Sequence, residues 1–307
     1  WAQLDAVAPG ALGSQQWFGQ RFRTPIEKEG DVALREQLSR RLAPLMLRRT
    51  KQQVLGELPD KTETRREITL SGAQRELYES LRLAQHQRVQ QAVAERGLAG
   101  SGIVMLDALL KLRQVCCDPR LVKLDSAQKV RRSAKLDQLR ELLPPLIEEG
   151  RRILVFSQFT EMLGLIGQAL EKDGIAYTTL TGDTPGKTRT QRVARFQQGE
   201  VPVFLISLKA GGTGLNLTAA DTVIHYDPWW NPAVEAQATG RAHRMDQQNP
   251  VFVYKLMCVG TVEERIHDLQ SRKADLAASI LEGGAERQSD GPLFDEEDRA
   301  LLFAPVA

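Results

Sequence analysis

The chain has 307 residues, 42% hydrophobic and 26% charged, a formal net charge of +2 and three cysteines. This length supports a large core and about two structural units. No apolar run approaches the ~20 residues of a membrane span, the opening WAQLDAVAPG lacks the plan of a secretory leader, and the cysteines suit neither a disulfide framework nor zinc spacing.

A reducing interior is therefore the expected compartment. The chain starts at Trp1 rather than Met, so it reads as a piece of something longer. The first half reads as helical. Residues 31–47 form a basic amphipathic segment, stopped or kinked near Pro44. It overlaps LSRRLAPLMLRRTK, where Arg40, Arg41, Arg48, Arg49 and Lys51 stand without an acid. A solvated helix face and a nucleic-acid contact both fit that run, and it does not decide between them.

Ser71 and Gln74 read as a capping box opening a helix with Leu77, Leu81 and Ala84 on one face. SGIVMLDALLKLRQVCC gives a second helix, ended by Asp118-Pro119. SAKLDQLRELLPPLIEEG gives a third, with a break at Pro144-Pro145 and a stop at Gly150.

After Gly150 short β-rich runs appear: RILVF, IAYTTL, VFLIS, TVIHY and VFVYKL. They alternate with helical segments at 159–172, 188–198, 232–243 and 261–281, the last opened by a second capping box of Thr261 and Glu264. This predicts an α/β fold, a parallel sheet covered by helices on both faces and preceded by a mostly helical region. Ligands of such sheets bind at the loops beyond the C-terminal strand ends.

One of those loops, GDTPGKT, imitates a P-loop. That motif needs four residues between its glycines, but Gly182 and Gly186 enclose three, and Pro185 has no N–H for a phosphate. A small-molecule kinase is the reading that rests on this stretch alone. LKAGGTGLNL follows the VFLIS strand, with Gly211, Gly212 and Gly214 allowing close backbone approach and Lys209 adding a cation. A tight strand-to-helix turn explains the glycines equally well. DPWWNP follows TVIHY; two adjacent tryptophans in an extended segment point opposite ways, so one is expected outside, suited to stacking on a base or sugar. A helix from Pro232 would place Gln237, Arg241 and Arg244 on one face, an outward pair able to serve a phosphate on another domain.

VFSQFT, LTGDT…R…F, SLKAGGTGLNLTAADTVIHYDPWWNP and QATGRAHRMDQ stand in this order. Together they resemble the C-terminal-lobe motifs of SWI/SNF-type DNA translocases, within superfamily two of the helicase-like ATPases. FRTPIEKEGD…LAPLMLRRTKQQVLGELPDKTE resembles the block joining the two lobes of that family, and LLKLRQVCCDPRLV its helical region. The resemblance spans residues 17 to 281.

Such enzymes close two RecA-like lobes around one ATP and track along duplex DNA. The resemblance implies the second lobe of a larger ATPase, because the chain has no G-x4-G-K-S/T and no D-E-x-H string. ATP and Mg²⁺ would be held mainly by a missing N-terminal lobe. Arg241 and Arg244 match the arginines that reach the γ-phosphate. Gln237, Gly212, Gly214 and Asn216 match positions on the nucleotide side. Ser157, Gln158, Thr181, Gly182, Lys209 and Trp230 match DNA-backbone contacts. The implied partners are double-stranded DNA, the N-terminal lobe and DNA-bound proteins, with no membrane. The implied compartment is a bacterial cytoplasm, at the nucleoid, or a eukaryotic nucleus.

The implied layout is the end of the first lobe and a linker at 1–60, a helical insertion at 61–148, the RecA-like lobe at 149–281 and a tail at 282–307. Met245-Asp246 departs from the family's Ile-Gly, and Asp246 is placed to pair with Arg244; Asp118 stands where a His is common. A non-catalytic DNA-binding or docking module with the same fold is the competing reading.

Overall fold

The structure, a computed structural model, describes residues 2–28, 31–42, 59–211, 215–229, 231–270 and 300–305. Its contacts divide the chain into two units, Trp1–Gly56 with Ala285–Gly291, and Glu57–Gly284 with Pro292–Ala307.

The first unit is helical: α1 (Ala2–Val7), α2 (Gln15–Phe18), a π-helical turn at Gly19–Arg23, α3 (Thr24–Lys28) and α4 (Val32–Leu42). Ser14 caps α2 by accepting from the Trp17 N–H at 3.2 Å. Phe22 is fully buried, with Trp17 edge-on at 5.7 Å and the Arg41 guanidinium 5.6 Å from its ring centre. Pro44 and the second half of the basic run lie outside the described residues.

The second unit holds β1 (Lys61–Ile68), α5 (Gly72–Gly100), α6 (Gly102–Cys117), α7 (Asp125–Gln128), α8 (Ala134–Glu148), β2 (Ile153–Ser157), α9 (Thr160–Lys172), β3 (Tyr177–Leu180), α10 (Gly186–Gln197), β4 (Val203–Ser207), α11 (Leu208–Gly211), β5 (Thr222–His225), α12 (Pro232–Thr239), β6 (Val251–Cys258) and α13 (262–270). The six strands form one parallel sheet in the order β1-β6-β5-β2-β4-β3. Alternation along β2 divides the core. Ile153 and Val155 face a cluster with α5, α6, α8 and α9, while Leu154 and Phe156 face one with Phe196 of α10 and Ala238 of α12.

Five expectations change. β1 is a full strand of the sheet, paired with β6 from Lys61 to Ile68, although its sequence KTETRREI suggests none. The Ser71–Gln74 box does not form. Gln74 is buried, donating to the Val115 carbonyl at 2.8 Å and accepting from the Ala134 N–H at 2.9 Å, so it staples α5 to the ends of α6 and α8. On α5 the buried stripe runs through Leu77, Tyr78, Leu81 and Val89, leaving Ala84 exposed.

Helix α8 runs through Pro144-Pro145 without a break. Both prolines and residues 140 and 141 are exposed, so the two carbonyls that lose their intrahelical donors face water, while Leu136, Leu139, Leu143 and Leu146 keep the apolar face buried. The second capping box forms shifted by one residue. Thr261 accepts from the Glu263 N–H at 3.2 Å, but Glu264 reaches back to Gly260 at 2.7 Å rather than to Thr261.

Candidate nucleotide and DNA interface

Parallel strands put every C-terminal end on one edge of the sheet, so the loops after β5, β2, β4 and β3 lie side by side in that order. Ser157 ends β2 and Gln158 follows it, Lys209 and Asn216 follow β4, and Thr181 and Gly182 follow β3. Gly212, Gly214 and Trp230 lie outside the described residues. Gln158 and Thr181 are half-buried, and Gly182, Lys209 and Asn216 are exposed.

Ser157 is fully buried. Its hydroxyl donates to Asp227 Oδ1, and the same carboxylate accepts from the Gln158 N–H at 3.3 Å. Asp227, the residue that opens DPWWNP, thus fastens the loop after β2 to the loop after β5. Burial raises its pKa, against the pull of Arg113 and the Ser157 hydroxyl. Arg113 of α6, wholly buried, lies 3.9 Å from Asp227 and donates to the Pro228 carbonyl. The loop continues through Trp229, half-buried against the core, whose N–H donates to Glu235 at 2.7 Å and whose carbonyl accepts from Gln270 at 2.8 Å. Asn231 then caps α12 through the Ala233 N–H, with Pro232 at its first position.

Helix α12 stops at Thr239, so Gln237, Arg241 and Arg244 do not share a helical face. The chain turns at Gly240 into successive turns closed by the Arg241, Ala242 and His243 N–H groups. Gln237 and Arg244 are exposed, whereas Arg241 is buried to 8% exposure. Arg241 is laced to the chain after the glycine-rich loop. Its carbonyl accepts from the Leu217 N–H at 3.1 Å, and its guanidinium donates to the Leu215 carbonyl at 3.5 Å. Burial lowers its pKa, and the charges of Arg244 and Arg189 lower it further. Arg189 of α10 in turn donates to the Ala210 carbonyl at 2.9 Å. Three guanidiniums thus gather where the loops after β4 and β5 meet, a field suited to a polyanion, since arginine keeps its charge even when desolvated. Among the described residues no ion pair joins Arg244 to Asp246, both exposed.

GDTPGKT closes on itself instead of cradling a phosphate. The Thr181 N–H donates to the Thr184 hydroxyl at 3.0 Å, the Thr184 N–H to the Thr181 carbonyl at 3.2 Å, and Lys187 is exposed on the first turn of α10.

Sequence reasoning missed the supports. Asp227, Arg113, Lys135, Glu235, Glu263 and Gln247 are buried polar groups holding loops in place. Gln247 alone donates to the Thr218, Ala220 and Ala242 carbonyls at 3.1, 2.6 and 3.2 Å, tying the arginine segment to the strand-β5 approach. A carboxylate directly after an apolar strand was the one visible signal, at Asp227.

Two family models match the chain, SNF2-related domain over residues 1–121 and helicase conserved C-terminal domain over 134–246. The Sulfolobus solfataricus SWI2/SNF2 ATPase C-terminal domain superposes with TM-score 0.63 at 31% identity, over 81% of this chain and 100% of that one. The chain belongs to the SWI2/SNF2 family. The S. solfataricus SWI2/SNF2 ATPase core in complex with dsDNA gives TM-score 0.61 at 35% identity, over 92% of this chain and 59% of that one. The putative ATP-dependent helicase/translocase YwqA of Bacillus subtilis is 38% identical over 287 residues, 92% of this chain and 31% of YwqA. The chain therefore spans less than a third of that relative's length. Among the described residues no helix is long and apolar enough to cross a membrane.

Proposed function

We propose that this SWI2/SNF2 chain is the second motor lobe of an ATP-dependent translocase on double-stranded DNA. The observation that carries the proposal is the cluster of Arg189, Arg241 and Arg244 at the C-terminal edge of the sheet, with Arg241 desolvated and bonded to the chain after the glycine-rich loop. ATP with Mg²⁺ supplies the driving free energy, held mainly by a P-loop lobe outside these 307 residues. Arg241 and Arg244 present their guanidiniums to the γ-phosphate across the cleft, a contribution of about 10³–10⁵ in rate by analogy with GTPases. Gln237, Gly212, Gly214 and Asn216 line the nucleotide side.

Gln158, Thr181, Gly182, Lys209 and Trp230 meet the DNA backbone and sugars, positioning duplex without reading sequence. Ser157, whose hydroxyl is already committed to Asp227, serves the DNA by fixing Gln158. The layout is the end of the first lobe and a linker at 1–60, a helical insertion at 61–148 whose opening strand β1 is lent to the sheet beside β6, the motor lobe at 149–281 and a tail at 282–307. The setting is a DNA-bearing compartment, with DNA-bound proteins as further partners. The dsDNA complex of the S. solfataricus relative and the ATP-dependent designation of YwqA support this assignment.

The test joins the chain to a matching P-loop lobe and measures ATP hydrolysis with and without duplex. DNA-stimulated turnover is expected, and Arg241→Ala with Arg244→Ala should abolish it while duplex binding persists. Stimulated turnover that survives the double substitution would sink the motor role and leave a binding module.

A further inference from the structure

A cavity of about 520 Å³ lies between the helical region and the start of α9, outside the arginine cluster. Gln85 of α5, Lys111 of α6, Lys123 and Gln158 line it, with Leu121 and Phe159 forming apolar wall.

Two of these polar groups have no protein partner. Gln85 is 9% exposed and its Oε1 is buried without a hydrogen bond; Gln158 Nε2 is likewise buried and unbonded. A buried polar group left unmet forfeits its hydration without compensation, so a buried pair facing one cavity marks a place that something polar fills. With no partner fixing it, the Gln85 amide can turn to offer either its oxygen or its NH₂.

The remaining features narrow the occupant. Helix α9, 13 residues long, opens at this cavity through Thr160, and no side chain caps it. Glu161 of the same turn also lines the cavity, so the first-turn N–H groups and the dipole favour an anion only together with the two cations Lys111 and Lys123, which outnumber that carboxylate. Lys123 is exposed at the mouth, and Lys111 is oriented by Asp107 at 3.0 Å. A lone phosphate has no use for the apolar wall, but a deoxyribose does. Gln158, moreover, is already a backbone contact in the proposed DNA track.

We propose that this cavity seats one sugar-phosphate unit of duplex DNA, with Lys111 and Lys123 as its cations and Gln85 and Gln158 as its neutral donors. The inference rests on the DNA-translocase reading and extends the track from the sheet edge onto the helical insertion. Bound backbone would bridge α9 of the motor lobe to α5 and α6 of the insertion, so the insertion would follow the strand as the lobe moves.

The test titrates the 307-residue chain with a mixed-sequence duplex across a salt series. Removing one cation that neutralises a phosphate should lower the magnitude of the log K against log [salt] slope by about 0.9. Lys123→Ala is expected to lower it by that amount on every duplex sequence. Lys172→Ala, at the far end of α9, is expected to leave it unchanged. Gln85→Leu should weaken duplex binding several-fold without lowering the unfolding midpoint, because it also removes an unmet polar group.

A wild-type chain that binds no duplex would defeat the DNA reading itself. Duplex binding whose slope and affinity ignore both Lys123→Ala and Gln85→Leu would overturn only the cavity assignment. Displacement of duplex by inorganic phosphate, where chloride at equal ionic strength does nothing, would identify a free-phosphate site and overturn the assignment to the DNA strand.

Discussion

The ammonium of Lys135 lies 2.7 Å from both oxygens of the Glu263 carboxylate, and solvent reaches neither side chain. Lys135 also donates to the Tyr226 carbonyl at 3.0 Å, and Glu263 accepts from the Cys258 N–H at 3.0 Å. One ion pair thus knots α8, α13 and the ends of β5 and β6 beneath the tryptophan loop. Burial works against the lysine's charge, but the facing carboxylate outweighs it and holds the Lys135 pKa above its ordinary value. Lys135→Met leaves a buried carboxylate alone and should cost about 3–5 kcal/mol of unfolding free energy. Lys135→Met combined with Glu263→Leu should recover most of that loss, as read from urea denaturation. A single substitution costing no more than a surface change would refute the knot.

Asp227 joins the loops after β2 and β5, proposed above to meet DNA, so its charge should matter more to function than to folding. Asp227→Asn keeps the shape but weakens its hold on the Ser157 hydroxyl, the Gln158 N–H and Arg113. With the P-loop lobe present, DNA-stimulated hydrolysis is expected to fall by up to about 10²-fold through misplacement of the loops. Tryptophan emission should shift at the same time, because Trp229 rides on the same loop. Unchanged turnover and emission together would show that the loops hold themselves.

Lys187 should be dispensable. The turn before it is closed by Thr181–Thr184 bonds and the lysine is exposed, so the isolated chain should show negligible ATPase activity and Lys187→Ala should change nothing. Measurable ATP affinity of the isolated chain that vanished with Lys187→Ala, read by calorimetry, would revive the kinase reading.

His225 should make the fold acid-sensitive. Its ring is buried, stacked on Phe156 at 5.8 Å and bonded to the Thr239 hydroxyl at 2.9 Å; burial, helped by Lys255, lowers its pKa from 6.5 to about 3. Between those values the unfolded chain takes up a proton that the folded chain refuses. Stability is therefore full above pH 6.5 and drains as pH falls toward 3, by up to about 1.4 kcal/mol per unit. His225→Asn should flatten that stretch of the stability–pH curve. An equal acid slope in the variant would assign the loss to carboxylates such as Glu63.

What the sequence discloses follows from where the physics is local. Apolar runs such as VFLIS and TVIHY disclose themselves because strands covered on both faces must be apolar throughout. The same reasoning locates the edge that bears Gln158 and Lys209. Supports stay hidden because they are made between elements far apart in sequence; nothing around Arg113 or Gln247 shows which carbonyls they will hold. Pro144-Pro145 misleads for a related reason, since its cost depends on whether the released carbonyls face water. The arginine segment misleads because a helical pattern continues in sequence after the helix has ended at Thr239.

Strand β1 bears on how the protein is made. It enters the sheet beside β6, so it leaves the ribosome long before the strand it pairs with among the described residues, which follows helices α5 to α8 and four other strands. Closing so long a loop is slow, and an apolar strand left waiting would recruit other chains. KTETRREI is built to wait. Its Lys61, Glu63, Arg65, Arg66 and Glu67 keep a solitary strand hydrated and unattractive to neighbours. On docking, the same charges become order: Glu63 meets Lys255 at 3.1 Å, and Arg65 meets Glu264 at 3.0 Å. The charge pattern that concealed this strand in the sequence is thus a guard against aggregation during synthesis.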